Sequence, residues 1–85
     1  MESYWVYILK CSDGSLYTGS TKDVDRRLRE HQSGKASRYT RSRLPVVLCY
    51  FEAAKDRGAA LRRESSIKGL SRSEKLLLCA RFSEG

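Results

Sequence analysis

"YWVYILKCSDGSLYTG", residues 4–19, is the stretch on which the fold turns. Its first half is apolar on both alternating faces: Trp5, Tyr7 and Leu9 point one way, Val6 and Ile8 the other. A strand wetted on one side alternates apolar with polar residues, so this pattern predicts a central strand covered on two sides. Asp13 and Gly14 then supply the pair favoured in a tight hairpin, which returns the chain as a second, antiparallel strand, "SLYTG" at 15–19. Tyr7 and Tyr17 are thereby set on neighbouring strands.

Beyond this hairpin Asp23 is placed to cap a helix from about Val24 to Gln32, with Gly34 in the C′ position. Val24, Leu28 and His31 form one stripe of that helix with Arg27 at its edge, whereas Arg26 and Arg29 belong to a solvated face. "KASRYTRSRLP" (35–45) reads as a basic loop ending at Pro45, within a stretch that has no acid between His31 and Glu52. "VVLCYFE" (46–52) is a third strand on its β-branched and aromatic content. Asp56 caps a second helix through about Lys68, closed by Gly69, and "SRSE" (71–74) is the capping box of a third, "EKLLLCARF". The predicted order is strand, strand, helix, strand, helix, helix.

An 85-residue chain with 40% hydrophobic residues and one proline has the composition of one folded domain with a thin core. Seventeen Lys and Arg against ten Asp and Glu leave a net charge of +7, which makes nucleic acid the default partner; the alternative is solvated charge of no specific use. Cys11, Cys49 and Cys79 are odd in number, widely spaced and without a CxxC pair. That spacing suggests neither a disulfide framework nor a zinc site, and points to reduced core thiols in a cytoplasmic protein. "MESYWVYILKCS" has an acid where a signal peptide needs a base, and its apolar run is too short for a membrane span.

Glu64 breaks the pattern of its helix. Ala60, Glu64 and Ile67 share one stripe by i, i+4, i+7 spacing, with Leu61 beside it, which turns the carboxylate toward the sheet. A carboxylate so directed needs a cation or a metal ion. Pairing with Arg62, Arg63 or Arg27 would satisfy it structurally, and the helix pattern leaves both readings open. Arg27 and His31, at i and i+4, share a face on which a guanidinium fork suits a phosphate. His31 taken alone is as well read as an ordinary, partly buried histidine. Tyr7 and Tyr17 are weak signals singly, and a tyrosine serves as a base at neutral pH only where cations or hydrogen bonds depress its pKa.

Taken together, "VYI" (6–8), "YTG" (17–19), Arg27 ten positions after Tyr17, and Glu64 on a later helix resemble the GIY-YIG nuclease superfamily. "LYTG", "RRLREH", "YTR" and "LRRESSIKGLSRSEK" resemble its small single-domain bacterial UPF0213 type along essentially the whole chain, residues 1–85. The resemblance implies an α/β (α+β) sandwich, a three-stranded antiparallel sheet flanked by helices. It also implies an endonuclease of DNA repair or processing in which Glu64 holds one magnesium or manganese ion. Tyr17 would be the base for the attacking water, Tyr7 would hydrogen-bond near the nucleophile, Arg27 would hold the phosphate, and His31 would assist proton transfer or positioning. Trp5 stands at the first position of the family's first triplet and Thr18 in the middle of its second, and the chain has no asparagine.

The competing reading is a non-catalytic binding module that keeps this fold and basic surface. A purely structural domain leaves the aligned set Tyr7, Tyr17, Arg27 and Glu64 without a purpose. In either of the first two readings Lys35, Arg38, Arg41 and Arg43 form the electrostatic footprint, and Tyr39 either stacks on an unpaired base or simply packs. DNA is expected ahead of RNA, and the protein is expected to be monomeric.

Overall fold

The computed structural model describes residues 3–84. The elements, in chain order, are β1 (Tyr4–Lys10), β2 (Leu16–Thr21), α1 (Val24–Gln32), α2 (Arg38–Arg41), β3 (Val47–Ala54), α3 (Arg57–Lys68) and α4 (Arg72–Glu84). The three strands form one antiparallel sheet in the order β2-β1-β3, which puts the doubly apolar β1 in the middle. Each face of β1 has its own core. Val6 and Ile8 meet Ala60 and Ile67 of α3 and Cys79 of α4, while Tyr7 and Leu9 meet Cys11 and Val46, with Leu28 of α1 packed alongside. Helices therefore cover both sides of the sheet, and none among the described residues is long and apolar enough to cross a membrane.

Local signals set the ends of the elements. Asp23 accepts a hydrogen bond from the Arg26 N–H at 3.0 Å and starts α1. The helix stops in a Schellman motif, in which Gly34 (φ +78°) donates its N–H to the His31 carbonyl and Lys35 donates to that of Glu30. His31 is consequently the last inward-facing residue of α1. Ser71 and Glu74 exchange reciprocal side-chain-to-backbone bonds of 3.0 and 3.2 Å as the capping box of α4.

Four features differ from the sequence reading. The basic segment is not all loop, because Ser37 accepts from the Tyr39 N–H and starts the single turn α2. Strand β2 continues past Gly19 to Thr21, its far end paired with Trp5. Strand β3 runs from Val47 to Ala54, with Cys49 as the extra residue of a bulge between the Ile8–Tyr50 and Leu9–Leu48 pairs. Leu61 is 47% exposed, since α3 seats Ala60 and Ile67 on the sheet and the next residue lies about 100° around the helix, on the solvent side.

Candidate active site

The pairing of β1 with β2 sets Tyr7 opposite Gly19 and Leu9 opposite Tyr17, so both tyrosines stand on the α1 face of the sheet. Tyr7 lies across the backbone of β2. A Cβ on residue 19 would come within 2.5 Å of the Tyr7 hydroxyl and 2.7 Å of its Cζ, so only glycine leaves room for that ring. The hydroxyl reaches His31 Nε2 at 2.9 Å, and His31 Nδ1 in turn meets Thr40 Oγ1 of α2 at 2.8 Å. Tyr7, His31 and Thr40 are all buried. The half-buried Tyr17 ring packs edge-on to His31 with centroids 5.2 Å apart, and Tyr39 stacks on Tyr17 at 5.9 Å. Arg43 lies over the opposite side of this aromatic pair, 3.9 Å from the Tyr39 centroid, and its Nε donates to Asp13 at 3.0 Å.

The charges around the tyrosines are unequal in their effects. Burial pushes the Tyr7 hydroxyl up to about 12, with the Arg27 hydrogen bond partly opposing it and the Glu64 charge adding to it. Tyr7 is therefore a proton donor at neutral pH. Burial, and next the Arg27 cation, hold His31 below its ordinary value, with Glu30 pulling weakly the other way. Arg27 is partly desolvated, yet its bonds to Tyr7 and Glu30 keep its guanidinium above the usual value. Its Nη1 donates to Glu30 at 3.1 Å, which fixes the head group at the rim of the buried cluster.

His31 gives the molecule a pH dependence whose sign follows from its lowered pKa. Above about pH 6.5 the imidazole is neutral in both folded and unfolded chains, and its contribution to stability is complete. As pH falls from there toward the lower folded pKa, the unfolded chain binds a proton that the native state refuses. Stability is lost over that interval and levels off below it. Asp13, Glu64 and Glu74, all held below the carboxylate range, lose their contributions only at still lower pH. Thermal melts from about pH 8 to 5 are expected to show a midpoint that falls below roughly pH 6.5 in the wild type and stays level in His31→Gln. A wild-type midpoint that rises on acidification over this range would contradict the assignment.

Glu64 approaches from the other side of the sheet. Ser20 is paired with Val6 and so stands on the α3 face; its hydroxyl donates to Glu64 Oε1 at 2.6 Å, and Lys68 Nζ lies 2.7 Å from Oε2. The carboxylate, 17% exposed, is raised by burial but lowered more by Lys68 and Ser20, and it remains ionised. Its partners are thus neither Arg62, Arg63 nor Arg27: Arg63 bonds Glu52, and Arg27 bonds Glu30. Glu64 and the tyrosines thus stand on opposite faces of the sheet along β2, its edge strand, and the Glu64 charge is felt at Tyr7.

This donor set discriminates between metals. No cluster of three or more His, Cys, Asp or Glu able to hold a metal occurs among the described residues. One ionised carboxylate at an open sheet edge is inadequate for zinc, which needs a cage of nitrogen and sulfur ligands. It fits magnesium or manganese, which bind through one or two carboxylates and complete their shell with waters and substrate phosphate. Lys68 shares that carboxylate and would have to yield part of it.

Lys35, Arg38 and Arg41 are exposed on and beside α2, whereas Arg43 is partly withdrawn into its contacts with Asp13 and Tyr39. Tyr39 is 37% exposed, and its ring contacts both Tyr17 and Arg43. Sequence reasoning missed Thr40, Ser20 and Lys68. Of these Thr40 had a local signal in Ser37, an N-cap inside the supposed loop, and Lys68 had one in its i, i+4 spacing from Glu64. A separate cleft of about 350 Å³ lies between Trp5, Lys22, Asp23, Val24, Asp25, Leu48 and Phe51. It contains none of the residues above, and its two aspartates make it a poor seat for a phosphodiester.

Comparison with known proteins supplies independent findings. The family described as the GIY-YIG catalytic domain matches residues 3–76. A UPF0213 protein of Haloquadratum walsbyi is 54% identical over 72 residues, 85% of this chain and 81% of the relative. UPF0213 proteins of Staphylococcus aureus are 50% identical over 78 residues, 92% of this chain and 95% of theirs. The solution NMR structure of a UPF0213 protein from Bacillus halodurans is similar with a TM-score of 0.58 at 47% identity, over 92% of this chain and 83% of that one. That of an E. faecalis protein is similar with a TM-score of 0.65 at 36% identity, over 100% and 91%.

Proposed function

Because this chain belongs to the GIY-YIG family, among the UPF0213 proteins, we propose that it is an endonuclease that hydrolyses phosphodiester bonds in nucleic acid, DNA ahead of RNA. The observation that most supports this reading is a buried Tyr7–His31 pair against β2, with Arg27 at its rim, and an ionised Glu64 bonded to Ser20 on the other face of that strand. A binding surface has no use for a carboxylate beside the place where a phosphate would lie, whereas a cation-assisted hydrolase does.

Each side chain has one task. Glu64 holds a magnesium or manganese ion, which when bound polarises a phosphoryl oxygen and stabilises the leaving oxyanion. Arg27, anchored by Glu30, donates its remaining N–H groups to the phosphate and meets the charge that grows there. Tyr7 keeps its proton at neutral pH and donates it in the hydrogen bond to His31, so that its oxygen accepts a hydrogen bond from the attacking water. Tyr17, half-buried on the edge strand, takes the proton from that water. His31 stays neutral and holds Tyr7 in place. The test is incubation of the wild-type protein with labelled duplex, branched and single-stranded DNA and RNA, in magnesium or manganese. Cleavage that stops on chelation supports the proposal, and absence of cleavage across the panel refutes it.

Binding to nucleic acid is expected to be mainly electrostatic, through Lys35, Arg38 and Arg41 with Arg26 and Arg29 of α1, all exposed. With about four to six phosphates neutralised on duplex DNA, log affinity falls against log salt with a slope of roughly −4 to −5. A titration from low to moderate salt that gives a slope near zero would exclude this footprint.

A further inference from the structure

The chain has one histidine, and its two ring nitrogens have different buried partners, Tyr7 on Nε2 and Thr40 on Nδ1. We propose that Thr40 is a positioning residue that fixes His31 as the Nδ1–H tautomer, so that Nε2 is left to accept the Tyr7 hydroxyl proton. The proposal deepens the endonuclease reading by naming what orients its Tyr7–His31 pair.

The assignment comes from counting donors and acceptors. The buried Tyr7 hydroxyl is hydrogen-bonded to His31 Nε2. The single Tyr7 proton then needs an acceptor of its own, and His31 Nε2, 2.9 Å away, serves only if it carries no hydrogen. Nδ1 must therefore be protonated, with Thr40 Oγ1 accepting at 2.8 Å. The Thr40 hydroxyl has an outlet for its own proton in the Ser37 carbonyl, a longer contact of 3.4 Å within the same turn. The chain of donation is Tyr7 to His31 to Thr40 to Ser37, with no donor left over. In the opposite tautomer the Tyr7 oxygen takes a hydrogen bond from His31, and that contact does not accept its proton. A buried donor without an acceptor costs about 1–3 kcal/mol, enough to bias a tautomeric equilibrium about fivefold or more.

Burial strengthens the assignment. His31 and Thr40 are both fully buried, so water does not compete for either nitrogen. Thr40 owes its position to α2, the turn that Ser37 starts, and the stacking of the adjacent Tyr39 on Tyr17 pins that turn against the site. The basic turn thus serves the site from inside with Thr40 while presenting Arg38 and Arg41 to solvent.

The experiment is a long-range proton–nitrogen NMR correlation on untagged, nitrogen-15-labelled protein at about pH 8, where the imidazole is neutral. With a single histidine the spectrum is unambiguous. Wild type and Thr40→Ser are expected to give the Nδ1–H pattern. Thr40→Val, which keeps the shape but cannot accept, is expected to shift toward the Nε2–H form. An Nε2–H pattern in the wild type overturns the proposal even if the valine variant does not fold, and so does an unchanged pattern in a folded Thr40→Val protein. In a cleavage assay Thr40→Val should lose roughly 10- to 100-fold in kcat, with Thr40→Ser restoring most of it. If the wild type cleaves nothing, the endonuclease reading falls while the tautomer is still decided by the spectrum.

Discussion

Glu64→Gln is expected to lower cation-dependent cleavage by roughly 10³-fold or more while leaving the fold and the affinity for nucleic acid almost unchanged. The rate should collapse because Glu64, bonded to Ser20 on β2, is the carboxylate that would hold the cation, and a neutral amide does not hold a hard dication there. Stability should survive because Glu64 is weakly invested in the fold. Its ionic partner Lys68 is 55% exposed, and i, i+4 pairs of that kind contribute about 0.3–0.5 kcal/mol. The glutamine oxygen can still accept from Ser20. A semi-buried arginine partner would have made the same substitution far more costly, but Arg63 and Arg27 are held by Glu52 and Glu30, and Arg62 is exposed. A melting midpoint within a few degrees of wild type, in magnesium or without it, is the expected companion result. Large, magnesium-independent destabilisation of the variant, together with a wild type that cleaves no substrate, would instead establish a binding module that uses Glu64 as a structural strut.

The distinction between what was legible in the sequence and what was not follows the range of the interactions. The double apolar face of β1, the Asp23 and Asp56 caps, the glycine stop after His31 and the Ser71–Glu74 box are written within a few residues of where they act. The inward turn of Glu64 was equally local, a matter of helical spacing from Ala60 and Ile67. Its hydrogen-bond partner was not, because Ser20 lies 44 residues away and reaches Glu64 only through the pairing of β2 with β1. Arg43 likewise seemed free for a phosphate until the hairpin brought Asp13 to it across 30 residues. The turn α2 escaped notice because four residues are too few to show a period, and its composition is that of a basic loop. His31 read as a candidate on the strength of its neighbours, and what makes it a plausible partner for Tyr7, a second buried bond to Thr40, depended on that unseen turn.

Arg27 offers the second large effect, and the informative substitution is lysine. Lysine keeps the positive charge, and its ammonium can still pair with Glu30, so nucleic-acid affinity and its salt slope should hardly move. It lacks the planar fork that lets one side chain donate to Glu30, to the Ala36 carbonyl and to a phosphate oxygen together. Loss of a donor aimed at developing charge lowers kcat by about 10²- to 10³-fold, and that is the expected result for Arg27→Lys at saturating substrate. Arg27→Ala should lose at least as much rate and, in addition, make the salt slope shallower by about one. The side chain is 35% exposed and its ion pair with Glu30 is a surface one, so both variants should stay within about 1 kcal/mol of wild-type stability. Removing the guanidinium also removes the bond that opposes the effect of burial on Tyr7, which drives that hydroxyl still further from ionisation. If Arg27 served only to brace Tyr7 and Glu30 while the phosphate lay elsewhere, lysine would retain kcat near the wild-type value. That outcome would move the scissile phosphate away from α1.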